Sequence, residues 1–420
     1  MYVSSRPPAP GTPGPAVDRG RKLGRVNRNV LFLGLTSMFT DVSSEMVTAV
    51  LPLYLTLGLG LGPLGFGAFD GFYQALAALL PLAGGLAADR WRRHKEVAAA
   101  GYGISAGCRL GLLAGLGAIG PTVAFLAVDR VGKGLRTAPR DALISLSSTP
   151  GRLAESFGVH RAFDTSGALL GPGVAFLLLL LVPGGYDTVF VTSFCVALIG
   201  LGMLGLFVQN PARVPATGDA PQRPSLRTGL GLLRRARYRA LLLAGATLGL
   251  VTLSDAFIYL AFQQRSTLDT EVFPLLYVGS AVVYLVLAVP VGRLADRVGR
   301  VPVLVAGHLP LLAAYAVLLY QGPRAPRLAA LVLCVGLHYA ATAGVLMAVA
   351  STVVPAHLRT FGMALLASCI ALSRAASSLG FGALWSWWGS HAAIALYALG
   401  LAAAAAAAAR LLRRAEEASP

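Results

Sequence analysis

The chain has 420 residues, 56% of them hydrophobic and only 13% charged, with a formal net charge of +17. Soluble proteins average about 25% charged residues, so a water-soluble globular domain is excluded. The Lys and Arg residues fall in short stretches between apolar runs, so the charge reads as loop topology and not as a nucleic-acid-binding surface. The four cysteines, Cys108, Cys195, Cys334 and Cys369, lie far apart inside apolar segments. Neither a disulfide framework nor a Cys/His metal spacing is present, and no metal or other cofactor is expected.

In chain order, residues 1–28 read as a disordered tail, rich in Pro, Gly and Arg and without a signal-peptide cleavage site. Apolar runs of membrane-spanning length then follow at 29–57, 64–88, 97–119, 121–146, 155–182 and 188–208. The segment 209–237 carries Pro211, Pro215, Pro221 and Pro224 and a basic run at Arg234, Arg235 and Arg237, and reads as a linker. Six more runs follow at 238–263, 272–295, 301–320, 327–350, 358–385 and 390–412, with a short tail at 413–420. The fold class expected is therefore an all-α membrane protein with twelve helices in two bundles, 29–208 and 238–412. The basic loops all fall on one side, whereas the opposite loops hold only Arg265, Arg324 and Arg327. By the positive-inside rule both termini are expected to be cytoplasmic.

The two sets of six runs match one another. Gly85, Asp89, Arg90 and Arg93 close the second run, and Gly292, Asp296, Arg297 and Arg300 close the eighth, 207 residues later. Thr40-Asp41 answers Ser254-Asp255, and Ser156-Phe157-Gly158 answers Thr360-Phe361-Gly362, at similar offsets. Three registers, at offsets of 207, 214 and 204 residues, lie close together and mark an internal duplication.

On these residues the chain resembles the major facilitator superfamily over nearly its full length. The Gly-x-x-x-Asp-Arg loops are similar to that family's loop motif. The second copy is complete with Gly299, and the first has Arg92 where a glycine is usual. The order Gly158-x8-Gly167-x3-Gly171-Pro172 resembles the packing motif of the antiporter branch, and Arg130 with Gly134 resembles the span-4 basic motif linked to proton coupling. The resemblance implies alternating access between two halves, a small-molecule substrate in a midplane cavity, and a bacterial inner membrane location.

Three clusters could carry that chemistry. The paired loops read as charge latches, with each Asp accepting from a neighbouring helix N-terminus and each Gly allowing close packing. In the fourth run Asp129, Lys133, Arg136 and Arg140 share a helix face. Arg130, Lys133 and Arg136 are expected at the cavity, and Arg140 to snorkel to the interface. In the first run Asp41 and Glu45, four apart, face one way. Two like charges in a low-dielectric site oppose double ionisation, which makes the pair a proton carrier by expectation. His160, Arg161 and Asp164 form a further group, with Arg161 and Asp164 expected to pair. Asp255 and Arg374 are the deep charges of the second half. Asp70 reads as a helix-start residue, His308 and His338 as hydrogen-bonded packing residues, Trp385, Trp387 and Trp388 as an interfacial belt, and the alanines at 402–409 as a plain packing helix.

The expected activity is proton-coupled antiport exporting a small organic compound, driven by the proton gradient, by a monomer in the bilayer. Asp41, Glu45, Arg130, Asp164 and Asp255 are the coupling candidates. Arg130, Lys133, Arg136, Arg161 and Arg374 are the substrate candidates, and these cations also suit symport or exchange of an anionic solute. An enzyme or receptor lacks a nucleophile, metal site or signalling domain to act through.

Overall fold

A computed structural model of the chain describes residues 27–91, 94–115, 117–148, 152–210, 231–355 and 358–417. The side chains of residues 78, 81–91, 154, 359–360 and 416–417 also lie outside the description. The described residues form helices and connections, with no strand among them. Uniformly apolar runs must satisfy their backbone internally in a bilayer, and the helix does so within one segment.

The first half holds α1 (Arg28–Leu53), α2 (Pro63–Trp91), α3 (His94–Ala114), α4 (Ile119–Ser147), α5 (Leu153–Leu181) and α6 (Tyr186–Phe207). The second holds α7 (Ala236–Leu250), α8 (Asp255–Ser266), α9 (Phe273–Val298), α10 (Arg300–Ala306), α11 (His308–Leu319), α12 (Arg324–Val353) and α13 (Arg359–Glu417). Nine described helical stretches are long and apolar enough to cross a membrane. The 29-residue helices α2 and α4 also reach that length. Helix α13 breaks at Gly389, whose φ of 80° suits a residue without Cβ, so its two limbs count separately. The total is consistent with twelve crossings. Below, the side holding 91, 94, 299 and 355 is called the linker side, and the side holding 58–63 and 389 the far side.

Two expected continuous spans are broken. The seventh stops at Leu250 and restarts at Asp255, and the ninth turns at Gly307. At the first break side chains replace the lost helical partners. Tyr315 Oη donates to Val251 O at 3.1 Å and accepts from Leu253 N at 2.8 Å, and Ser377 Oγ donates to Thr252 O at 3.0 Å. Ser254 caps the restart, its Oγ accepting from Phe257 N.

Small residues set how closely the helices approach. A Cβ on Gly167 would lie 2.5 Å from Met38 O, and one on Gly171 would lie 2.8 Å from Glu45 Cβ and Val42 O, so α5 lies directly on α1. Gly158, expected in the same role, is exposed and faces open space, and Gly292 likewise meets nothing. Spacing alone does not show which glycines face a neighbour. Helix α5 runs on through Pro172.

The halves meet on the far side. Cβ atoms on Gly67, Gly71 and Gly382 would strike Ser378 O, Ala375 O and Pro63 O at 2.5, 2.6 and 2.4 Å, so α2 and the first limb of α13 are in backbone contact. Phe66 packs edge-on against Phe257 at 5.0 Å, and Phe257 in turn against Phe381 and Trp385. Trp385 thus belongs to this seal and not to a belt, whereas Trp387 and Trp388 are exposed.

Candidate functional site

Helix α1 carries Asp41 and Glu45 one turn apart, and α4 runs opposite with Lys133, Arg136 and Arg140. Asp41 Oδ1 lies 3.8 Å from Arg136 Nη2, and Glu45 Oε1 lies 4.0 Å from Lys133 Nζ. These contacts are longer than charge-assisted hydrogen bonds, which run about 2.7–2.9 Å. They are ion pairs without a hydrogen bond between the partners. A cavity of about 600 Å³ opens beside them, lined also by Arg161, Asp164 and, from the other half, Tyr284. The cavity wall therefore holds three carboxylates and four cations.

Several side chains sit elsewhere than their spacing suggests. Arg140 does not snorkel. It reaches Asp141 at 3.0 Å and donates to Ser37 on α1, and it lines the cavity. Arg130 does not face this cavity. Its guanidinium stacks over Tyr73, donates to the Tyr73 hydroxyl, and lies 3.6 Å from Asp129. Asp129 turns towards α3, where Arg109 Nη2 lies 3.1 Å away with both side chains 2% exposed. Arg109 also donates to Ser44 on α1. This inner pair anchors α4 against α3 and α1, so only the outer part of the charged face reaches the cavity. Arg136 is held from behind by the Tyr102 ring, 4.6 Å away. Asp164 lies 3.5 Å from His160 Nε2, not against Arg161.

Asp255 belongs to a separate group. It stands at the restart of the broken seventh span, a half-helix N-terminus where the dipole favours an anion. Tyr339 Oη donates to Asp255 Oδ1 at 2.7 Å and accepts from Arg374 Nη2 at 3.3 Å. The second half's two deep charges are thereby linked through one phenol. Tyr73, Tyr102 and Tyr339 are the residues that spacing did not single out. Inside apolar runs a tyrosine looks like packing, and only the facing cation gives it a role.

Asp70 is not a helix-start residue either. It is 8% exposed, and its Oδ2 accepts from Ser378 Oγ at 2.6 Å and from Gln74 Nε2 at 2.8 Å. In the loops, Asp296 pairs at 2.8 Å with the side chain of Arg300, the first residue of α10, across one exposed turn. Gly299 takes a φ of 112°, the turn that lets α10 start at once. Arg297 is exposed. In the first copy Gly85, Asp89 and Arg90 fall within α2, but their side chains, and Arg93 altogether, lie outside the described residues.

The comparisons with known proteins agree with this architecture. An uncharacterised MFS-type transporter of Methanocaldococcus jannaschii is 30% identical over 289 residues, covering 68% of this chain and 70% of that one. An uncharacterised protein of Mycobacterium tuberculosis is 33% identical over 146 residues, covering 34% and 35%. Among solved structures, the nucleoside transporter NupG superposes with a TM-score of 0.77 at 14% identity, over 91% of this chain and 98% of that one. A POT family transporter in complex with 5-aminolevulinic acid gives 0.75 at 14%, over 93% and 97%. A bacterial homologue of the human lysosomal transporter Spinster, inward-facing and unoccupied, gives 0.60 at 14%, over 92% and 94%. At these identities the structural likeness shows the fold alone. The sequence model described as Major Facilitator Superfamily matches residues 33–279 and 266–420. With matching halves, a charged cavity between helices and this sequence match, the chain is a membrane transporter belonging to the Major Facilitator Superfamily.

Proposed function

We propose that this transporter is a proton-coupled antiporter that exports a small organic compound by alternating access across a bacterial inner membrane, with both termini cytoplasmic. The observation that carries the reading is the pair of long contacts, Asp41–Arg136 and Glu45–Lys133, facing the 600 Å³ cavity. Protonating either carboxylate releases a cation of α4 and changes the charge between α1 and α4. A ligand shifts an equilibrium only through unequal affinity for its two states, and a proton that dissolves an interhelix pair has that property. With the far side sealed, the cavity serves the linker side, where an exported compound is taken up.

A second reading is transport of an anionic solute by symport or exchange. Lys133, Arg136, Arg140 and Arg161 outnumber the carboxylates on the same wall, and a carboxylate or phosphate would displace Asp41 and Glu45 from them.

The test is transport by the purified protein in liposomes under an imposed pH gradient, with a pH-sensitive dye inside. Antiport predicts that substrate efflux and proton entry rise together and that both vanish in Asp41→Asn. Efflux that ignores the gradient sinks the proton reading. Co-directional movement of protons with an organic anion supports the second reading.

A further inference from the structure

The second half contains a cavity that the charged wall does not explain. It has a volume of about 160 Å³ and lies among α7, α10, α11, α12 and α13, below the break in the seventh span. Its walls are largely aliphatic, including Leu241, Leu248, Leu346 and Ile370. Its polar groups converge at one end, where His308, His338, Tyr339 and Arg374 meet.

The two histidines are 7% and 6% exposed, with ring centroids 5.1 Å apart. Each has already committed its Nδ1. His308 Nδ1 lies 3.0 Å from Leu304 O and His338 Nδ1 2.8 Å from Gly307 O. A carbonyl only accepts, so both Nδ1 atoms carry the proton. A neutral imidazole with Nδ1–H presents Nε2 as a bare lone pair. Neither Nε2 has a hydrogen-bond partner among the described residues, and both rings line the cavity. Each Nε2 is open to the cavity and accepts from a donor that enters it.

The electrostatics fix the charge of that donor. Arg374 is the cation of the cavity, and Tyr339 links it to Asp255 through two hydrogen bonds. The polar end is thus balanced before any ligand arrives. An ion entering it would shed its water without gaining a free counter-charge.

We propose that this cavity binds a neutral amphipathic organic molecule, which donates from a hydroxyl or amide N–H to Nε2 of His308 or of His338 and seats a hydrocarbon or aryl body among the leucines. The proposal builds on the transport reading by naming the substrate class. It also divides the labour, with protons on the charged wall of the first half and substrate in the neutral pocket of the second.

The test is binding to the purified full-length protein in detergent by calorimetry, using probes that share one phenyl body. These are 2-phenylethanol, 3-phenylpropanamide, 2-phenylethylammonium, 3-phenylpropanoate, and the methyl ether of 2-phenylethanol. The alcohol and amide are expected to bind at least about tenfold more tightly than the two ions and the ether. His308→Phe with His338→Phe should remove that preference, and Ala343→Phe, which fills the cavity from an exposed position, should abolish binding of all five. Equal binding of alcohol and ether, or preference for either ion, overturns the proposal on the wild-type protein alone, whatever the variants do. No gradient is involved, so failure here with proton coupling intact removes this site only, and binding without coupling removes only the antiport reading.

Discussion

Asp70 and Ser378, 308 positions apart, share a 2.6 Å hydrogen bond that joins the two halves at their far-side contact. Gln74 completes the arrangement by donating to both, to Asp70 Oδ2 at 2.8 Å and to Ser378 Oγ at 3.1 Å. Burial makes these bonds strong relative to the alternative of an unsatisfied carboxylate.

Asp70→Ala is therefore expected to release the far-side seal. A cysteine placed at Phe69, which is 7% exposed and packs on Phe66, should be labelled by a membrane-impermeant thiol reagent severalfold faster in the Asp70→Ala background. The labelling rate in intact cells is the readout, and an unchanged rate means the aromatic contacts alone hold the seal.

The two kinds of ion pair should respond differently to neutralisation. Asp129→Asn leaves Arg109 buried without its anion, and a loss of about 3–5 kcal/mol of stability is expected. Glu45→Gln removes one side of a part-exposed pair 4.0 Å long and should cost less than about 1 kcal/mol. Chemical denaturation in mixed micelles measures both. Comparable losses would place Glu45 in the scaffold with Asp129.

Gly171→Leu drives a side chain into Glu45 Cβ and Val42 O, so folding or insertion should fail or lose at least about 1–3 kcal/mol. Gly158→Ala should be neutral or slightly stabilising, because its Cβ would meet nothing within 4 Å. Melting temperatures in detergent distinguish the two positions.

Tyr315→Phe deletes the hydroxyl that serves both sides of the break in the seventh span. Leu253 N and Val251 O would lose their partner, at a cost of about 1–3 kcal/mol. The exposed Tyr320 is the control, and Tyr320→Phe should leave unfolding unchanged.

The loop reading predicts that Asp296→Asn lowers transport while insertion is unaffected. Its carboxylate sits in an exposed turn with Arg300, where a surface pair contributes little to stability. Transport at the wild-type rate would reduce the loop to a topology signal.

The two-bundle architecture was legible because a duplicated loop and apolar runs of spanning length are statements about the backbone in lipid. The facing of α1 and α4 was legible too, since charges at 41 and 45 and at 133, 136 and 140 follow helical spacing. The depth of each cation was not. Arg130 and Arg140 exchange the places that position along the run suggests, because Tyr73 and Asp129 hold one and Ser37 with Asp141 the other. Asp129 and Asp141 are sequence neighbours of these arginines, but Tyr73 and Ser37, which fix where each arginine turns, lie on other segments. The breaks at 251–254 and at Gly307 were equally hidden, since Thr252 and Gly307 hardly alter the hydropathy of their runs. The histidines were read as packing residues. Their Nδ1 bonds fit that reading, and only the cavity beside them shows that a second nitrogen is left open.

Gly167 and Gly171 have a consequence beyond packing. They bring the backbone of α5 against the stretch of α1 that bears Asp41 and Glu45, while α5 also leans on α9 of the opposite half. The two carboxylates are thus mounted on a two-helix lever whose other arm touches the partner bundle. A shift of α9 against α5 therefore bears on the same helix pair that carries the two carboxylates, which ties their setting against α4 to the seam between the halves.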